Sequence, residues 1–204
     1  LETQPGLSRQ DLTNTSSIGG NDEVPMLHPP SSPVSMNLRG KTMLTNDILS
    51  AVKSYTENMD QEVTLVLQTG EHPKRDELKQ FLTQLCGVSD KLRLSEADHG
   101  LRSPISFGLE VNGEFNGVYF SGIPSGHEFN SLILAILQSA GAELKLDAGL
   151  VSLIQNIKNK LHFEIFVSLS CHNCPDVVQS LNQFALLNPN ISAEMIDGGL
   201  YPEL

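Results

Sequence analysis

Two cysteines separated by two residues, Cys171 and Cys174, lie in the run Ser170-Cys171-His172-Asn173-Cys174-Pro175. Thiols at that spacing can close a small disulfide and reopen it. The run follows a strand-like stretch and opens a helix-like one. At a helix start, backbone N–H groups and the helix dipole favour the thiolate of the first cysteine, and the thiolate is the reactive species. In that context a C-x-x-C reads as a redox-active dithiol. Cys171, nearest solvent, is the expected attacking thiol, and Cys174, a turn deeper, the resolving one. Exchange would pass through a mixed disulfide between Cys171 and a partner sulfur. His172 and Asn173 set the polarity of the loop. Pro175 suits the first helical turn, where its missing N–H costs little.

Two rival readings stand beside this one. One C-x-x-C supplies two thiolates and His172 lies inside the loop, so zinc is conceivable. A tetrahedral structural site needs four ligands, however, and the remaining cysteine, Cys86, has no partner motif. Cys86 closes an amphipathic helix beside Gly87 and reads as an inert, half-buried thiol. The third reading is a non-catalytic docking module. Replacing Cys171 by Ser separates these, because it abolishes disulfide exchange and spares docking. His162 alternates with core residues and reads as a surface or satisfied histidine. His127 reads as part of a helix start without chemistry, and Asp197-Gly198-Gly199 as a turn.

Composition narrows the setting. A chain of 204 residues with 39% hydrophobic residues can bury a core. Its net charge of −11 argues against nucleic acid and anionic membranes as partners. No apolar run approaches the ~20 residues that span a bilayer, and no continuous apolar leader opens the sequence. Three cysteines are too few for a disulfide-stapled scaffold. These features predict a reducing, cytoplasmic compartment.

The elements that must position the cysteines begin after a Pro-, Ser- and Gly-rich stretch. Residues 1–42 show no lasting apolar period and are expected to be a disordered extension. Met43 is expected to start regular structure. Leu44, Ile48, Val52 and Tyr55 fall on one helical face, with Thr45 or Asn46 as cap. Val63 to Leu67 reads as a buried strand. Pro73 opens a helix with Leu78, Phe81, Leu82 and Leu85 inward, ended by Gly87. Leu92 and Leu94 mark another strand. Asn112-Gly113 joins 105–111 to 114–120 as a hairpin, and Gly126-His127-Glu128 opens a helix with Phe129, Leu132, Ile133 and Ile136 inward.

A parallel βαβ half followed by an antiparallel ββα half is the thioredoxin-like order. In that fold a cis proline precedes the hairpin, so the Ser103–Pro104 bond is predicted to be cis. The chain then repeats itself. Leu146, Leu150, Leu153, Ile154 and Ile157 give a helical face, and Leu161 to Val167 a strand. The C-x-x-C helix follows, ended by Asn188-Pro189, and then a strand over 191–196. Corresponding elements are offset by roughly one hundred residues, the mark of a duplication. The expected organisation is α/β with tandem thioredoxin-like folds: 43–142 complete and without redox cysteines, 143–204 partial and carrying the C-x-x-C. About Thr69-Gly70-Glu71-His72 takes the place of the cysteines in the first copy. The second copy should lack its hairpin and last helix, leaving the strand over 191–196 with an open edge. Residues from about 143 onward should therefore be less protected from hydrogen exchange.

Ser168-Leu169-Ser170-Cys171-His172-Asn173-Cys174-Pro175-Asp176-Val177-Val178-Gln179 resembles the redox motif in the N-terminal domain of the flavoprotein (F) component of alkyl hydroperoxide reductase. Leu187-Asn188-Pro189, Ala193 to Gly199 and Phe120 to Phe129 resemble further motifs of that domain. The resemblance runs from about Met43 to Leu204. It implies tandem thioredoxin-like folds of which only the second carries cysteines. It also implies an electron route: NADH to FAD, to a dithiol of a flavin module, to the N-terminal C-x-x-C, to a two-cysteine peroxiredoxin, the C component. FAD and NAD(H) would belong to the remainder of such a protein, because no G-x-G-x-x-G occurs here. No cofactor or metal is expected within these residues. The resemblance further implies that Glu128 lies near the cysteines as proton acceptor or thiolate tuner, against the alternative of a plain helix-start carboxylate. It implies a homodimer for the full-length protein.

Overall fold

Alternating apolar residues and turn chemistry at a few points set the architecture. The computed structural model describes residues 34–36 and 42–204. A short antiparallel pair comes first, β1 (Val34–Met36) with β2 (Thr42–Leu44). β1 thus falls inside the stretch expected to lack regular structure, and regular structure does not wait for Met43. The rest of that expectation, residues 1–33 and 37–41, lies outside the described residues. Then follow α1 (Asn46–Thr56), β3 (Val63–Gln68), α2 (Arg75–Cys86), β4 (Leu92–Ala97), β5 (Ser106–Val111), β6 (Glu114–Ser121) and α3 (Glu128–Ser139). The second pass holds α4 (Ala148–Gln155), β7 (Leu161–Val167), α5 (Cys174–Leu187) and β8 (Ile191–Asp197).

Local chemistry explains most boundaries. Thr45 caps α1, its hydroxyl accepting from the Ile48 N–H. The hairpin turn needs two residues at positive φ, and Asn112 (φ 55°) and Gly113 (φ 82°) supply them. α2 begins two residues beyond Pro73, which lies in the turn that leads into it.

Strands β4-β3-β5-β6-β8-β7 form one continuous six-stranded sheet. β3 pairs parallel with β4 and antiparallel with β5, and β5 with β6. The two copies join where β8 lies parallel to β6, Val118 opposite Ala193 through Ser121 opposite Ile196. Gly117 permits this joint: at φ +88°, a Cβ there would sit 2.7 Å from the Ile191 carbonyl oxygen. One core covers a single face. Leu65, Leu67, Phe107, Leu109, Phe120 and Met195 meet Leu78, Phe81 and Leu82 of α2, Leu132 of α3 and Val178 of α5. Phe107 stacks on Phe120 at 5.2 Å, and Phe81 meets Phe129 edge-on at 6.2 Å. Truncating such a phenylalanine to alanine costs about 3–5 kcal/mol.

Two expectations about the second copy are corrected. The strand at 191–197 is not an open edge. β8 is paired on both sides, by β6 and by β7, because the copies are joined through it. The edge strand of the second copy is β7, where Phe166 is 46% exposed, and β4 forms the other edge of the sheet. The helical face over 146–157 is buried only at Ile154, while Leu153 is 70% exposed. No helix among the described residues is long and apolar enough to cross a membrane.

Candidate active site

β6, β8 and β7 are mutually parallel, so their carboxyl ends share one rim of the sheet. α3 and α5, the helices that follow β6 and β7, start at that rim and pack against each other. β7 ends at Val167, and the Cys171 N–H turns back onto the Ser168 carbonyl at 2.8 Å. Cys174 is the first residue of α5. Cys171 and Cys174 are disulfide-bonded, with Cα atoms 5.6 Å apart. Asn173 stands at the cap position but makes no side-chain cap bond. The Cys174 N–H donates instead to the Cys171 sulfur at 3.2 Å. One of the orphan N–H groups of the helix is thereby committed to the sulfur that would carry charge after reduction. His172 and Asn173 are exposed, and both cysteines are partly buried.

Glu128 is the first residue of α3 and is fully buried, and neither carboxylate oxygen has a hydrogen-bond partner. Burial pushes its pKa up, and the opposing Ser131 hydroxyl does not outweigh that. Ser131, one turn on, accepts from Gln179 of α5 at 3.3 Å. This face of α3 therefore looks at α5, and Glu128 lies at the end of it nearer the cysteines. The sequence assigns no chemistry to His127, yet the structure brings it to the redox loop. Its N–H reaches the Leu169 carbonyl at 3.4 Å, and its ring centroid lies 4.3 Å from that of His172. Periodicity could not show this, because the contact joins residues of different copies.

The first copy has an equivalent rim without thiols. The same interval separates β3 from α2 as separates β7 from α5, so His72 and Arg75 stand where Cys171 and Cys174 do. This shifts the expected correspondence by three residues from Thr69-Gly70-Glu71-His72. Pro104 faces this rim, its Cγ 2.7 Å from where a Cβ on Gly70 would lie. The Ser103–Pro104 bond is not cis, since no described peptide bond is. Ser106 N–H bonds the Ser103 carbonyl at 2.9 Å, which puts Pro104 second in a tight turn. A trans proline fits that place, whereas a cis proline takes the third.

The other singled-out residues sit apart from the site or on its margin. Burial pushes the Cys86 thiol up to about 12, which keeps it inert. Asp197 closes β8 with a turn, accepting from the Gly199 N–H at 3.0 Å. On the sheet face away from the helices, Arg102 grips Glu194 through two 2.8 Å bonds and also binds Glu164. His162 bonds Ser192 at 2.8 Å beside them, so it is a satisfied histidine. Among the described residues, the group of side chains close enough to share a cation is His162, Glu164 and Glu194, not the cysteines. Arg102 already pairs with both carboxylates of that group.

Comparison with known proteins places this architecture. No protein-family model matches the chain. The F component of alkyl hydroperoxide reductase from Staphylococcus aureus is 44% identical over 161 residues, 79% of this chain. The Staphylococcus epidermidis protein of that name is 40% identical over the same length. The chain spans 31% of the length of these relatives. The solved N-terminal domain of the corresponding Enterococcus faecalis protein, the alkylhydroperoxide reductase AhpF, superposes with a TM-score of 0.70 at 33% identity, covering 79% of this chain and 83% of that one. A protein disulfide oxidoreductase from Aeropyrum pernix, 18% identical with a TM-score of 0.66, shares the fold. It covers 78% of this chain and 77% of its own. With two thioredoxin-like copies fused through one sheet and the cysteine pair confined to the second, this chain belongs to the AhpF family, the F components of alkyl hydroperoxide reductase, and corresponds to their N-terminal domain.

Proposed function

We propose that the Cys171–Cys174 pair carries two electrons between a flavin-linked dithiol and a two-cysteine peroxiredoxin. The observation that supports this most is the disulfide at the start of α5, with the Cys174 N–H on the Cys171 sulfur. In delivery, the Cys171 thiolate attacks one sulfur of the acceptor disulfide. That S–S bond breaks, a mixed disulfide forms, and the displaced acceptor thiolate takes a proton. Cys174 then loses its proton and attacks the Cys171 sulfur. The second acceptor thiolate leaves, and the pair ends oxidised. Glu128 is the proposed acceptor of the Cys174 proton. It is buried at the start of α3, the helix that packs on α5, and burial raises its pKa, which makes its carboxylate a stronger base than an exposed one. Recharging runs the same exchange backwards, with a donor dithiol attacking the disulfide.

In the full family protein we assign the donor dithiol to a module holding FAD and using NADH, and the setting to the cytoplasm, with the whole protein a homodimer. The residues here do not fit either cofactor. They contain no G-x-G-x-x-G to seat a pyrophosphate, and no step above passes through those groups.

The test is a redox titration of the pair in glutathione or dithiothreitol buffers, read by alkylation and mass. A reversible two-electron couple between roughly −180 and −270 mV is expected. Cys171→Ser should abolish exchange with an oxidised peroxiredoxin, and Cys174→Ser should trap the mixed disulfide. A pair that never forms a disulfide, or is alkylated only after chelation, overturns the proposal.

A further inference from the structure

The cysteine-free copy reaches the redox loop at three adjoining points. Gly126, at φ +58°, brings its backbone so close that a Cβ would meet the Leu169 carbonyl oxygen at 2.6 Å. The His127 N–H donates to that same carbonyl. The His127 ring then lies against His172, centroids 4.3 Å apart and planes 46° to each other. His172 is exposed, and the His127 ring is its ring neighbour.

We propose that His127 is a positioning residue of the redox site: by packing on His172 and anchoring Leu169, it holds the Cys171–Cys174 loop in the conformation that stabilises the reduced pair. This rests on the electron-carrier reading above and assigns part of that function to the copy without thiols. The physical route is short. The loop from Leu169 to Cys174 must keep the Cys174 N–H aimed at the Cys171 sulfur for the thiolate to be stabilised. His172 lies between the two cysteines, so a restraint on its ring restrains both. Without His127 the loop relaxes, the thiolate loses part of that bond, and the reduced form becomes less stable relative to the disulfide. A pair whose reduced form is destabilised is a weaker oxidant.

The experiment measures the equilibrium constant of the pair with glutathione at pH 7, by alkylation and mass, in the 204-residue chain. His127→Ala is expected to shift it at least about threefold toward the disulfide, equivalent to about 14 mV. His127→Phe keeps a ring against His172 and should stay within about twofold of the parent value. His172→Ala should shift it in the same direction as His127→Ala, and the double variant no further than the larger single one. Gly126→Ala, which crowds the Leu169 carbonyl, should move it the same way. His162→Phe, on the far sheet face, serves as the unshifted control. Thermal unfolding of each variant checks that the fold is kept. No shift in His127→Ala, an equal shift in His127→Phe, or additive single effects overturns the inference. A parent chain without a reversible couple overturns the electron-carrier reading instead.

Discussion

Glu128 is buried without a partner for either oxygen, and burial raises its pKa. Replacing it with methionine keeps the volume and removes the polar group. Leaving a polar group buried and unsatisfied costs about 1–3 kcal/mol, so Glu128→Met should stabilise the oxidised chain by about that much near pH 8. For a domain of this size about 1 kcal/mol moves the melting temperature by roughly 2–4 °C, which predicts a gain of about 2–12 °C. The pH dependence fixes the cause. Below the ordinary carboxyl value of 4.5 the group is protonated in both folded and unfolded chains and contributes no slope. As pH rises from there toward the raised folded value, the unfolded chain releases its proton first. The parent loses stability across that window, and Glu128→Met does not. The gain should therefore be smaller at pH 4 than at pH 8, read by calorimetry or circular dichroism. A variant that is less stable at pH 8, or a gain that does not grow with pH, would refute the reasoning. If Glu128 takes the proton of Cys174, the stabilised variant should also pass electrons more slowly.

Further predictions concern the joint and the edge. Arg102→Ala leaves Glu194 buried beside Glu164 and should cost about 3–5 kcal/mol at pH 7, measured by urea unfolding. Burial pushes Glu194 up, but its bonds from Arg102 and Ser121 outweigh this and hold it below the ordinary range. The contribution of the pair is present above the unfolded carboxyl value and lost as pH falls through the lower folded one, so parent and variant should converge in acid. Hydrogen exchange should run fastest in α4 and β7 and slowest in β3, β5 and β8, contrary to uniform weakness after residue 143. Equal protection of β7 and β8 would contradict this.

Local structure is legible in the sequence wherever one residue type decides it. Asn112-Gly113 names its turn, Thr45 its cap, and the C-x-x-C its helix start. The tandem thioredoxin-like plan is also legible, because each copy repeats the same order of periods. How the copies meet is not. β8 alternates like any strand, and nothing in Ile191 to Asp197 says that β6, some seventy residues earlier, is its neighbour. That pairing decides which strand is the edge and brings His127 to His172. Pro104 departs from expectation because fold analogy places a cis proline there, whereas its conformation is set by the Ser103–Ser106 turn. Glu128 is reached only by resemblance. A carboxylate in a first helical turn is ordinary, and its lack of partners appears only once α5 covers it.

The shared sheet also bears on movement. Six strands hydrogen-bonded in one run leave no hinge between the copies. A shuttle that must meet a donor and then an acceptor cannot do so here by swinging one copy against the other. The cysteines are carried by a stiff plate, so under the proposed function any travel between partners is travel of the plate as a whole. Under the proposed function such a plate presents the same rim to donor and acceptor, so the two would take turns at one berth and compete for it.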